Sequence, residues 1–144
     1  MTWATDEIFA AGGDLVVEGW PAFQAQTGVS AVVAVAAAPP ALLVDPTPWA
    51  WLWLPIADEL AYTVDYLELG TGFIAHALAA GRKVLILAPQ GRHRARPLVA
   101  AHLLTTGKSL PRVLRELEQR PWQPPYRGDP EVLRRFAEAR APTP

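Results

Sequence analysis

The chain has 144 residues, of which 51% are hydrophobic and 19% charged, and a formal net charge of −1. That length suits one domain, expected to span residues 1–144 around a single core. The sequence contains no cysteine, which excludes disulfides, thiolate chemistry and zinc–thiolate sites, and no apolar run is long enough to span a bilayer.

Charge is unevenly spread. Residues 1–81 carry nine acids and no base, whereas residues 82–144 carry thirteen bases and five acids. Two readings follow: the halves interleave in one sheet and attract each other, or the basic half receives an anion or an acidic partner. A nucleic-acid partner is not expected, because the bases are not interleaved with aromatics and the total charge is not positive. The acidic start Met1–Glu7 lacks the basic region of a signal peptide, so a cytoplasmic protein without a membrane partner is expected. His76, His93 and His102 show no metal-ligand spacing, and no metal or cofactor is expected.

In chain order, Ile8–Ala10 and Leu15–Val17 read as short extended pieces, with Gly12-Gly13-Asp14 as a turn between them. Gly19–Gly28 is a short helix candidate, with Pro21 suited to its first turn and Gly28 to the position just past its end. Ser30–Ala36 is Val-rich and nearly all apolar, as in a strand covered on both faces. In Trp49–Pro55 alternation puts Trp49, Trp51 and Trp53 on one face and Ala50, Leu52 and Leu54 on the other. A helix is expected on the Trp face; the alternative is exposed indole surface forming a homodimer through Trp49, Trp51 and Trp53.

Ile56–Glu59 is a loop. Tyr62–Ala80 is the longest helix, with Tyr62, Tyr66, Leu69, Phe73 and Ala77 on one face. Gly70 and Gly72 within it predict close packing against another backbone. Val84–Leu87 is a buried strand. It leads through a loop with one glycine and three arginines, Pro89–Arg96, into an apolar helix ending near Gly107. Ser109 caps a helix from Leu110 to about Gln119, with Arg112 and Glu116 spaced to pair. Pro121–Tyr126 is an extended connector, and Asp129-Pro130 starts a last helix to about Arg140.

Strand, basic loop and helix amino terminus together form an anion-binding arrangement, in which backbone N–H groups and the positive helix end face the loop. The spacing resembles the signature of the dual-specificity branch of the cysteine-dependent protein tyrosine phosphatases. That signature is a strand ending in His-Cys, a glycine three residues after the Cys, an Arg six after it, then Ser or Thr, and a helix. Val84-Leu85-Ile86 resembles the strand, Gly91 the glycine, Arg94 the arginine and Leu98–Leu104 the helix. Leu54-Pro55-Ile56-Ala57-Asp58 resembles the segment carrying the family's general acid, and the resemblance covers about Ile8 to Phe136. It implies an α/β fold: a central, mostly parallel sheet of about four to five strands flanked by helices.

Three positions depart from the pattern. Ala88 stands at the nucleophilic Cys, Leu87 at the His before it, and Ala95 at the Ser or Thr. Each missing group is the thiolate or serves it. The resemblance therefore implies a pseudophosphatase with no catalytic residue, Asp58 being a relic of the general acid or a turn residue.

Gln90, Gly91, Arg92, His93 and Arg94 are the candidate ligand-binding residues, for phosphate, sulfate or a phosphorylated ligand. Arg94 keeps a planar fork suited to such an anion. Losing the thiolate removes a repulsion worth about 4 kcal/mol for unit charges ~4 Å apart at an effective dielectric near ~20. Pro89, without an N–H, removes one donor, and Arg94 has an alternative use in tying the loop to carbonyls or to Asp58. Two further function classes are an interaction protein with an empty loop, using the Trp strand or the basic half, and a hydrolase using Asp58 or an activated water as nucleophile.

Overall fold

The computed structural model describes residues 2–12, 18–88, 92–118 and 129–140. Its centre is a five-stranded sheet built from β1 (Thr2–Trp3), β2 (Ile8–Gly12), β3 (Val29–Val35), β4 (Ala50–Leu54) and β5 (Lys83–Ala88). The strand order is β1-β2-β5-β3-β4. Strands β2, β5, β3 and β4 run parallel, and the short β1 closes one edge antiparallel to β2. The helices are α1 (Trp20–Thr27), α2 (Val64–Ala79), α3 (Arg96–Thr105), α4 (Leu110–Glu118) and α5 (Pro130–Arg140). This is the expected α/β architecture.

The apolar runs of β3 and β5 are explained by their central places, since both faces of each are covered. On one face, Val33, Val35, Val84 and Ile86 join a large cluster with Leu67 and Ile74 of α2, Leu98 of α3, Val113 of α4 and Phe136 of α5. On the other face, Leu85 and Leu87 join a smaller cluster with Phe9, Trp20, Phe23 and Leu43. Alternate residues of β5 thus serve two cores of unequal size.

The basic half of the chain contributes β5, which lies between β2 and β3 of the acidic half. The halves interleave as the first reading of the charge pattern expects. Among the described ion pairs, Arg96–Glu59 joins the two halves, while Lys108, Arg112, Arg134 and Arg135 pair with acids of their own half.

Three expectations are corrected. The Trp face of β4 is covered only in part: Trp51 meets the small cluster to which α1 contributes Trp20 and Phe23, while helices α2 to α5 pack on the opposite face. Leu52 and Leu54 pack on the large cluster, Trp51 lies against the smaller one, and Trp49 and Trp53 remain 49% and 36% exposed. Strict alternation defines two faces but not which receives the helices, and β4 is an edge strand.

The second correction concerns α2. It begins at Val64, with Thr63 as its cap accepting from the Tyr66 N–H at 3.2 Å, and buries Leu67, Gly70, Thr71, Ile74 and Ala77. Leu69 is exposed. Tyr62 lies before the helix yet is buried in the same core, Ala77 is buried, and Tyr66 and Phe73 pack against that core, so Leu69 is the expected position that the structure places at the surface.

The third concerns the glycines. A Cβ on Gly70 would lie 2.5 Å from Leu98 Cδ1, so the close approach there is to a side chain of α3 rather than to backbone. Gly72 has nothing within 4 Å. Leu15–Val17, the Gly13-Asp14 part of the first turn and the Pro121–Tyr126 connector lie outside the described residues.

Candidate functional site

Strand β5 ends at Ala88, paired with Gly12 at the end of β2. Ligands of open parallel sheets bind beyond such carboxyl ends. Ala88, in the nucleophile position, is fully buried, as are Leu87 and Ala95. Leu87 faces the smaller apolar cluster, where an imidazole would have aromatic and aliphatic neighbours. Gln90 and Gly91 lie outside the described residues. Arg92 and His93 open a 3-10 turn, Arg92–Ala95, that runs directly into α3.

Ala95 is the cap residue of α3 and provides no side-chain hydrogen bond to its first turn. A hydroxyl there would take up one of the orphan N–H groups of a helix start. Arg94 sits just before this terminus, partly buried. Its Nη1 is buried without a hydrogen-bond partner among the described residues. The tie to Asp58 is not formed. Asp58 Oδ1 instead accepts from the Leu60 N–H at 2.7 Å, closing a turn on the surface.

Two tethers that the sequence did not reveal fix the turn and the start of α3. The Tyr62 hydroxyl donates to the Arg94 carbonyl at 2.5 Å. Arg96, 1% exposed, places Nη2 at 3.2 Å from both carboxylate oxygens of Glu59. Arg96 is therefore a buried structural cation, not a solvated charge beside Arg94. Both tethers join the segment after β4 to the site across more than thirty residues. The one local signal was Thr63 followed by Asp65, a helix-start pattern that frees Tyr62 from the helix. Further along α3, His102 is buried, with Nδ1 unpartnered among the described residues. Burial holds its imidazole below the usual histidine range, against an opposing pull from Glu7.

The described residues hold no group of three or more His, Cys, Asp or Glu arranged to bind a metal, and no described helix is long and apolar enough to cross a membrane.

This strand–turn–helix arrangement at the carboxyl end of a mostly parallel sheet has the fold of dual-specificity phosphatases, and the chain is phosphatase-like in architecture. Human DUSP28 superposes with a TM-score of 0.79 at 23% identity, over 96% of each chain. A human tyrosine phosphatase-like serine/threonine/tyrosine-interacting protein superposes at 0.77 and 17% identity, over 94% of each chain. PTPMT1 in complex with PI(5)P superposes at 0.72 and 17% identity, over 96% of this chain and 94% of that one. No protein-family model and no curated protein matches the chain.

Proposed function

We propose that this is a catalytically inactive, single-domain phosphatase-like protein that binds a phosphorylated or other anionic ligand through the degenerate signature loop 88–94. The observation that carries the reading is the buried Nη1 of Arg94, without a partner among the described residues, beside a helix start with no side-chain cap. A buried guanidinium N–H without an acceptor is costly, and an oxyanion satisfies it. Inactivity follows from the chemistry of position 88: a methyl group cannot form a phosphoryl-enzyme, and the chain has no cysteine. PTPMT1, solved with the phosphorylated lipid PI(5)P, offers a precedent for an anionic ligand on this fold.

Calorimetric titration with phosphate, sulfate and phosphopeptides tests the binding. A charge-assisted hydrogen bond contributes about 1.5–3 kcal/mol, so Arg94→Ala is expected to weaken the anion about 10- to 100-fold. A parallel assay with an aryl phosphate is expected to show no turnover. Turnover that disappears in Asp58→Asn would establish the hydrolase reading instead.

A second reading is favoured by the exposure of Trp49 and Trp53 on an edge strand: a homodimer through Trp49, Trp51 and Trp53. Sedimentation equilibrium decides it. A dimer that dissociates in Trp53→Ser supports it, and a monomer at all concentrations removes it.

A further inference from the structure

A second pocket lies at the opposite end of the sheet. Ser30 is near the start of β3, Trp49 immediately precedes β4 and Arg82 immediately precedes β5. The strands are parallel, so this end is about 16 Å from Ala88 along β5, at ~3.3 Å per residue. The pocket has a volume of about 170 Å³ and is walled by the half-exposed Trp49, with Trp20, itself 1% exposed, behind it and Arg82, Gln24, Ser30 and Thr47 around it. No acidic side chain lines it among the described residues, although all nine acids of residues 1–81 belong to the half of the chain that supplies most of its wall.

Its walls are held by backbone geometry. The Trp49 N–H donates to the Ser30 carbonyl at 2.7 Å, and the Trp20 indole N–H donates to the Pro46 carbonyl at 2.7 Å. Helix α2 ends in two reverse bonds: Gly81 N–H to Leu78 O at 3.0 Å and Arg82 N–H to Ala77 O at 2.9 Å. With Gly81 at φ +76°, this is the left-handed termination that glycine favours, and it fixes where Arg82 leaves the helix. The Arg82 guanidinium carbon stands 5.1 Å from the Trp49 ring centroid.

Seated over the ring, the guanidinium keeps N–H donors that can reach a ligand. Arg82 has no ion pair or side-chain hydrogen bond among the described residues, and neither do the side chains of Gln24, Ser30 and Thr47. A planar fork of donors, an indole wall and a few unspent polar groups together define a ligand chemistry. The anion must be planar to meet the fork with two bonds, and its body must be flat and apolar to lie on indole. The volume is below the usual ~300–1,000 Å³ of ligand pockets, which limits the body to about one ring.

We propose that the Trp20–Trp49–Arg82 pocket is a binding site for a small aromatic carboxylate, separate from the signature loop. Arg82 pairs with the carboxylate, and the ring lies against Trp49.

The test is a titration of the whole protein with benzoate, followed by calorimetry and tryptophan fluorescence. Benzamide, which keeps the ring, and acetate, which keeps the charge, serve as comparisons. The expected dissociation constant for benzoate is on the order of 1 mM, as for other ligands of this size. Benzamide and acetate are expected to bind about tenfold more weakly or less. Arg82→Gln and Trp49→Leu should each weaken benzoate about tenfold, and Arg94→Ala should leave it unchanged. Arg82 is exposed, so its variant is expected to fold, and a thermal melt verifies this. Absence of saturable benzoate binding, equal binding of benzamide, retention in Arg82→Gln, or loss in Arg94→Ala each overturns the proposal.

Discussion

At the scale of single residues, two neighbouring arginines of the turn and helix start are held differently. Arg96 is buried against Glu59, whereas Nη1 of its neighbour Arg94 has no described partner. Removing one member of a buried pair costs about 3–5 kcal/mol. Glu59→Gln is expected at the low end of that range, because Glu59 is 17% exposed. Chemical denaturation measures the loss, and a change below about 0.5 kcal/mol, the range of ordinary surface substitutions, would contradict it.

His102 supplies a pH dependence. Its folded-state affinity for a proton is lowered by burial from the ordinary value near 6.5. Below that pH the unfolded chain takes up a proton that the folded chain refuses. Stability is therefore fully present above about pH 6.5 and declines as the pH falls toward the folded value, by at most about 1.4 kcal/mol per pH unit. Melting curves between about pH 7.5 and 5.5 should show the decline in the parent and a flatter profile in His102→Leu.

At the scale of elements, α2 and its neighbours show what periodicity does and does not carry. Helical spacing identified the helix and part of its inward face, with Ala77 buried and Tyr66 and Phe73 packed against the core, but it misplaced Leu69. Leu67, Gly70, Thr71, Ile74 and Ala77 form the inward stripe. The two glycines then separate. Gly72 has open space where a Cβ would go, so Gly72→Ala is expected to stabilise the protein by up to about 1 kcal/mol through helix propensity. At Gly70 the same propensity gain is opposed by contact with Leu98, and overpacking costs about 1–3 kcal/mol. Gly70→Ala should thus give the lower melting temperature of the two; the reverse order would show that α2 and α3 are less tightly apposed than described.

At the scale of the whole molecule, the strands β3 and β5 were legible because continuous apolar runs are what doubly covered strands require. The fold was legible because the spacing from Ala88 to Arg94 tied strand, turn and helix together. The Trp face of β4 was not, since alternation is symmetric between two faces and only the packing of four helices on one side breaks the symmetry. The Tyr62–Arg94 and Glu59–Arg96 tethers were not legible as pairs either: beyond the helix start at Thr63, contacts across more than thirty residues leave no pattern that joins their two ends. Nor was the pocket at the amino end, where Trp20, Trp49 and Arg82 meet from three separate elements.

The departures at Leu87, Ala88 and Ala95 form one consistent picture. Two of these positions are filled by apolar side chains within the two cores on either side of β5 and the turn. The third, Ala88, is wholly enclosed at the strand end. On the proposed reading, a cation and a helix start remain to hold an anion.

The most direct measurement of that claim is calorimetric titration of inorganic phosphate into the parent protein and into Arg94→Ala. The account predicts saturable one-site binding that weakens about 10- to 100-fold in the variant, while the melting temperature without ligand stays close to the parent's. No binding by the parent, or equal affinity in both proteins, would contradict it.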